Sequence, residues 1–135
     1  MRKLLPISIL FILLGFVQCN RNPSEQQVTV HLSDDSLLTL IQYNTFQYFW
    51  EGAEPNSGMA RERFHMDGNY PQNDKNIVTS GGSGFGLMAI LTGIEREFIT
   101  REEGLARFEK ITSFLENADR FHGAWSHWID GTTGK

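Results

Sequence analysis

Cysteine is almost missing from this chain: Cys19 is the only one among 135 residues. A single thiol excludes an internal disulfide and a cysteine zinc site. Basic charge is scarce as well. Twelve Lys and Arg stand against 16 Asp and Glu, for a formal net charge of −4, and nucleic acid calls for a basic face. None of the four histidines, His31, His65, His122 and His127, falls in a His-Glu-x-x-His pattern, so no metal site is expected. Nucleotide signatures are lacking too. The cluster Gly81-Gly82-Ser83-Gly84-Phe85-Gly86 matches neither the dinucleotide fingerprint nor the phosphate loop, and Gly82-Ser83-Gly84 is not a nucleophile elbow. The glycines are expected to serve close packing, and no cofactor is expected.

A membrane-spanning run is also missing. The single long apolar stretch, Leu4 to Val17, contains Pro6, Ser8 and Gly15 and is shorter than the ~20 residues a spanning helix needs. It follows Arg2 and Lys3 and ends at Gln18-Cys19. This layout reads as a secretory signal peptide over residues 1–18, with Cys19 as a lipid-attachment site. The expected product is an exported lipoprotein held by a lipid anchor and facing the periplasm or the cell surface. Loss of Arg2 and Lys3, with no acid in the leader, would take the net charge from −4 to −6. Residues 19–33 are polar, with Pro23, Ser24, Glu25, Gln26 and Gln27, and read as a tether.

From residue 34 onward the pattern is helical. Leu38, Ile41, Thr45 and Phe49 repeat at helical spacing after the capping group Ser33-Asp34-Asp35, predicting a helix over about 34–51. Leu37, Phe46, Tyr48 and Trp50 make its other faces apolar, so it is expected to be buried on several sides. Leu87, Leu91, Ile94 and Phe98 mark a second helix over about 82–97. Thr100 and Glu103 form a capping box that opens a third, which carries Leu105, Phe108, Ile111 and Leu115. Only Phe98-Ile99 separates the last two, so they fold back as an antiparallel hairpin.

Between the first two helices lies a breaker-rich loop, Glu54 to Lys75, holding the charge run Arg61-Glu62-Arg63. A loop of this length in a compact fold is often functional, and these three residues are candidate ligand contacts. After Asp119 the chain turns aromatic: Phe121, His122, Trp125, His127 and Trp128 precede an Asp130-Gly131 turn signal. Alternation predicts a strand through Trp125, His127 and Ile129, one tryptophan facing inward, and a β-hairpin at Asp130-Gly131 whose return strand starts at Thr132 or Thr133. Sugar rings stack on flat aromatic rings and need polar partners beside them. Trp125, His127 and Trp128 are therefore candidate sugar contacts.

Five ordered blocks carry a resemblance. Asn44-Thr45-Phe46-Gln47-Tyr48-Phe49-Trp50, Ser57-Gly58-Met59-Ala60-Arg61-Glu62-Arg63, Val78 to Met88, Phe98 to Glu103, and Phe121 to Trp128 resemble the opening of the glucoamylase-like domain family. The resemblance covers about Leu37 to Lys135. It implies an all-α fold, the N-terminal portion of an (α/α)6 barrel over 34–135, with a short β-hairpin start at the C-terminal end. It implies glycoside hydrolysis, with β-1,2-glucan or sophoro-oligosaccharides as the substrate. Such cleavage uses two carboxylates. The family's acidic segment lies beyond the hairpin, so no catalytic residue is assigned here, and this stretch alone is expected to be inactive. Asp119 is read as packing on Arg120. The rival expectation is a glycan-binding surface lipoprotein without catalysis, and a third is a gene remnant.

Overall fold

The computed structural model describes residues 31–135. The leader, Cys19 and nearly all of the tether lie outside the described residues. The elements run α1 (Asp34–Trp50), β1 (Ile77–Thr79), α2 (Ser80–Glu95), α3 (Arg101–Asn117), β2 (Arg120–Phe121), β3 (Ala124–Trp125) and β4 (Trp128–Asp130). The fold is mostly helical, as the family resemblance implies. Among the described residues no helix is long and apolar enough to cross a membrane.

Each helix starts where a side chain satisfies a free amide. The Ser36 amide donates to Ser33 Oγ at 3.2 Å, and the Gly82 amide to Thr79 Oγ1 at 3.1 Å. At α3 the capping box is complete: the Glu103 amide donates to Thr100 Oγ1 and the Thr100 amide to Glu103 Oε2. Those hydrogen bonds hold the Glu103 carboxyl below its ordinary pKa. The α2–α3 turn is reversed by Glu97, whose φ is +59°; the amides of Phe98 and Ile99 then close back onto Gly93 O. The C-terminal end of α1 is covered by Arg107, which donates to Phe49 O and Trp50 O and lies 4.2 Å over the Trp50 ring. Burial lowers the pKa of this guanidinium, against an opposing effect of Glu51.

The core gathers Phe46, Met59, Val78, Ile90, Ile99, Ile111 and Ile129. Phe46 of α1 meets α2 at Gly93, where an added Cβ would sit 2.6 Å from the phenyl ring. The glycine sets the closeness of the two helices. Contrary to expectation, α1 buries only Phe46 and leaves Leu37, Leu38, Leu40, Ile41 and Tyr43 exposed. Among the described elements its main neighbour is α2, and one neighbour covers one stripe of a helix.

The C-terminal strands differ from the sequence expectation. The hairpin joins β2 to β3 around His122-Gly123, with φ of +49° and +86°, values that suit a tight primed turn. β4 pairs antiparallel with β1, Val78 facing Ile129. Beyond it the chain begins the expected turn back: the Asp130 amide donates to Lys135 O and the Gly134 amide to Asp130 O, both at 2.8 Å. The Asp130 carboxylate accepts the amides of Thr132 and Thr133 at 2.9 and 2.8 Å, an Asx-type turn that braces this loop. Both tryptophans are exposed. They sit on different strands, because Ser126 and His127 interrupt the alternation.

Candidate functional site

The site is organised by β1. On one side β1 pairs with β4. On the other, the Thr79 amide donates to Ala60 O and the Glu62 amide to Ile77 O, with an antiparallel bridge between Arg61 and Val78. Residues 60–62, 77–79 and 128–130 therefore form one narrow ribbon. Alternation puts Arg61, Val78 and Ile129 on one face, and all three are buried. Glu62 and Trp128 fall on the other face. By strand spacing their backbones are on the order of 10 Å apart. The two candidate groups read from the sequence, 66 positions apart in Glu62 and Trp128, thus share a surface.

Trp128 is 57% exposed, and the His127 ring stands edge-on to it at 4.7 Å. His127 approaches the start of α2: the Ser80 amide donates to its carbonyl, and its ring lies 3.9 Å from where a Cβ on Gly81 would be. Trp125 is placed differently. Its indole NH donates to Leu115 O at 3.0 Å, and Arg120 covers its ring at 4.7 Å. Its polar tip is already used by α3, and one ring face by Arg120 of β2. The same arrangement corrects the reading of Asp119, because Arg120 reaches Leu115 O and Trp125 instead.

The loop charges also separate. Arg61 is buried and donates through Nε to Gly52 O at 3.1 Å and through its terminal nitrogen to Lys75 O. Tyr48 OH donates to the Arg61 carbonyl at 2.7 Å. Burial, and then the charge of Glu62, raise the Tyr48 phenol above its ordinary pKa, so it remains a donor. Glu62 and Arg63 stay accessible and approach to 3.5 Å. Arg63 also donates to Gln72 Oε1 at 2.5 Å and lies 3.8 Å from Asp74. An accessible flat indole with an imidazole beside it, and a carboxylate on the same ribbon face, suit a neutral, hydroxyl-rich ring.

Two contributors escaped the sequence reading. Glu54 is 2% exposed and its carboxylate accepts the Ser57 amide and hydroxyl, both at 2.7 Å. Tyr48 was read only as apolar surface of α1. A charged residue in a turn and a tyrosine on an apolar helix carry no local sign of such partners. Among the described residues no group of three or more His, Cys, Asp and Glu is placed to hold a metal ion.

No protein-family model matches the chain. Individual proteins match it closely. An exo β-1,2-glucooligosaccharide sophorohydrolase (non-reducing end) of Parabacteroides distasonis is 57% identical over 119 residues, which is 87% of this chain and 15% of that protein. An endo-β-1,2-glucanase from Chitinophaga pinensis, solved with sophorotriose and glucose, is 68% identical with a TM-score of 0.76. It covers 78% of this chain and 25% of its own. The chain is homologous to part of these β-1,2-glucan enzymes. A glucoamylase-like protein from Bacteroides caccae is 71% identical with a TM-score of 0.74, over 76% of this chain and 25% of that one. The resemblance read from the five sequence blocks therefore holds. The chain spans 15% of the curated relative and about a quarter of these two solved structures.

Proposed function

We propose that this chain supplies part of the sugar-binding wall of an exported glycoside hydrolase that acts on β-1,2-glucan or sophoro-oligosaccharides. The observation that carries the reading is 57% and 68% identity to two enzymes of that substrate class. The exposed Trp128 beside His127, on the same face as Glu62, supports it physically. Glycoside cleavage takes a carboxylic acid and a carboxylate on either side of the bond. Two acids described here already have structural work: Glu54 is buried on Ser57 and Asp130 holds its own turn. As the family resemblance implies, the catalytic pair is assigned outside this stretch. The exposed leucines of α1 fit helices that pack against further helices, as in the barrel that the family resemblance implies.

A sugar titration tests the wall. Trp128→Ala should weaken sophorotriose binding about fivefold, since stacking on an aromatic ring is worth on the order of 1 kcal/mol. Trp125→Ala should have the smaller effect, because its NH already serves α3 and Arg120 covers its ring. If neither substitution changes the affinity of a folded protein, these aromatic residues are structural.

Export and lipid anchoring are part of the same proposal. They rest on Arg2, Lys3, the apolar run and Cys19. Labelled palmitate should enter the protein and be lost in Cys19→Ala. Equal labelling of the variant would remove the anchor from this account.

A further inference from the structure

We propose that Glu54 is a positioning residue: its buried carboxylate holds the strand that carries Glu62 in register with the strand that carries Trp128. The carboxylate accepts from three donors: the Ser57 amide and hydroxyl at 2.7 Å each, and the Asn56 amide, shared between both oxygens at 3.1 Å. Ser57 Oγ in turn accepts the Met59 amide at 3.2 Å. The backbone closes the same loop, with the Glu54 amide donating to Met59 O and the Gly58 amide to Glu54 O. The chain leaves this knot directly into residues 60–62, the edge of the ribbon.

Contact with the far edge is equally direct. Gly131 follows β4, and a Cβ there would lie 2.7 Å from Glu54 Oε2. Asn56 Nδ2 donates to Gly131 O at 3.1 Å and to Thr132 O at 3.3 Å. The knot around Glu54 thus touches both ends of a ribbon whose strands lie 75 positions apart in Asn56 and Gly131. A buried carboxylate is tolerated where its lone pairs are filled; here Asn56 and Ser57 fill them from the first segment, and the second is held through Asn56 Nδ2 and the close packing of Gly131 on the carboxylate. The consequence for sugar binding rests on the proposed function; the alignment itself does not.

Amide hydrogen exchange and sophorotriose titration of Glu54→Gln, Ser57→Ala and Gly131→Ala test the proposal on the full chain. Glutamine keeps the size but turns one acceptor into a donor facing donors. Exchange at the Glu62, Thr79 and Ser80 amides should speed up about tenfold in Glu54→Gln, with α3 amides unchanged, as expected when one segment opens locally. Ser57→Ala should loosen the same amides to a smaller degree, and it decides the matter if Glu54→Gln does not fold. Gly131→Ala, which pushes on the carboxylate, should loosen them as well. Sophorotriose affinity should fall in parallel. Unchanged exchange at those three amides, or equal acceleration throughout α3, would overturn the positioning role. A wild-type chain that binds no sophorotriose would remove the glucan reading, and the exchange pattern would still judge Glu54.

Discussion

Phe46→Ala should cost about 3–5 kcal/mol of stability, the range for removing a buried phenylalanine. The ring is 4% exposed, stacks at 5.7 Å on Trp50 and lies tilted at 5.8 Å from Phe98. Its rim lies against Gly93, so the space it leaves cannot be filled by a neighbouring side chain there. Folded domains have net stabilities of only about 5–15 kcal/mol, and a loss of this size would bring the chain close to unfolding. The converse test is Gly93→Val, which drives a Cβ to within 2.6 Å of the same ring and should also destabilise by more than about 1–3 kcal/mol, the usual cost of overpacking. Urea unfolding followed by circular dichroism measures both. A midpoint unchanged in either variant would mean that α1 and α2 do not pack as described.

Arg61→Ala should cost about 3 kcal/mol, because the buried Gly52 O and the part-buried Lys75 O would lose their donor and the packing of the buried side chain would go with it. Arg61→Lys should recover only part of this, since an ammonium cannot span two acceptors as a planar guanidinium does. The measurement is again urea unfolding, set beside sophorotriose affinity. Loss of stability in both variants places Arg61 as a pin beneath the ribbon. Loss of sugar affinity at unchanged stability would make it a direct sugar contact.

Local signals in the sequence translate well into local structure. Ser33 before Asp34 and the Thr100–Glu103 pair mark helix starts because capping needs only residues three apart. The short gap around Phe98-Ile99, residues 96–100 in the fold, forces a hairpin for the same reason: too little chain is present for anything else. The close packing expected of the glycine cluster holds at Gly82 and Gly86, against Thr79 and Phe49, while a Cβ on Gly84 would meet nothing within 4 Å. Gly93 and Gly104 were not legible in this way, although each sits under a large side chain of a neighbouring element, Phe46 and Ile94. Their role depends on which helix lies opposite.

Long-range pairing was the part that could not be read. Alternation around Ile129 identifies a strand but carries no information about its partner, and β1 lies some fifty residues earlier. Asp130-Gly131 has the composition of a hairpin turn, and the chain does fold back there, Asp130 N–H meeting Lys135 O, a local feature that says nothing of the pairing of β4 with β1. The candidate site followed the same rule. Trp128, His127, Glu62 and Arg63 were named from residue type alone and are accessible in the fold. Arg61 and Trp125 were named on the same grounds, but both have their polar groups bonded to backbone carbonyls. Nothing within a few residues of either distinguishes a side chain held by its own backbone from one offered to a ligand.

Linkage selectivity tests the central claim most directly. The protein, produced at its full encoded length, should be incubated with linear β-1,2-glucan and, separately, with a β-1,3-glucan, and the new reducing ends counted. The account predicts release of sophorose or longer fragments from the β-1,2-glucan and none above a blank from the β-1,3-linked polymer. No release from β-1,2-glucan, with the protein folded, would contradict it.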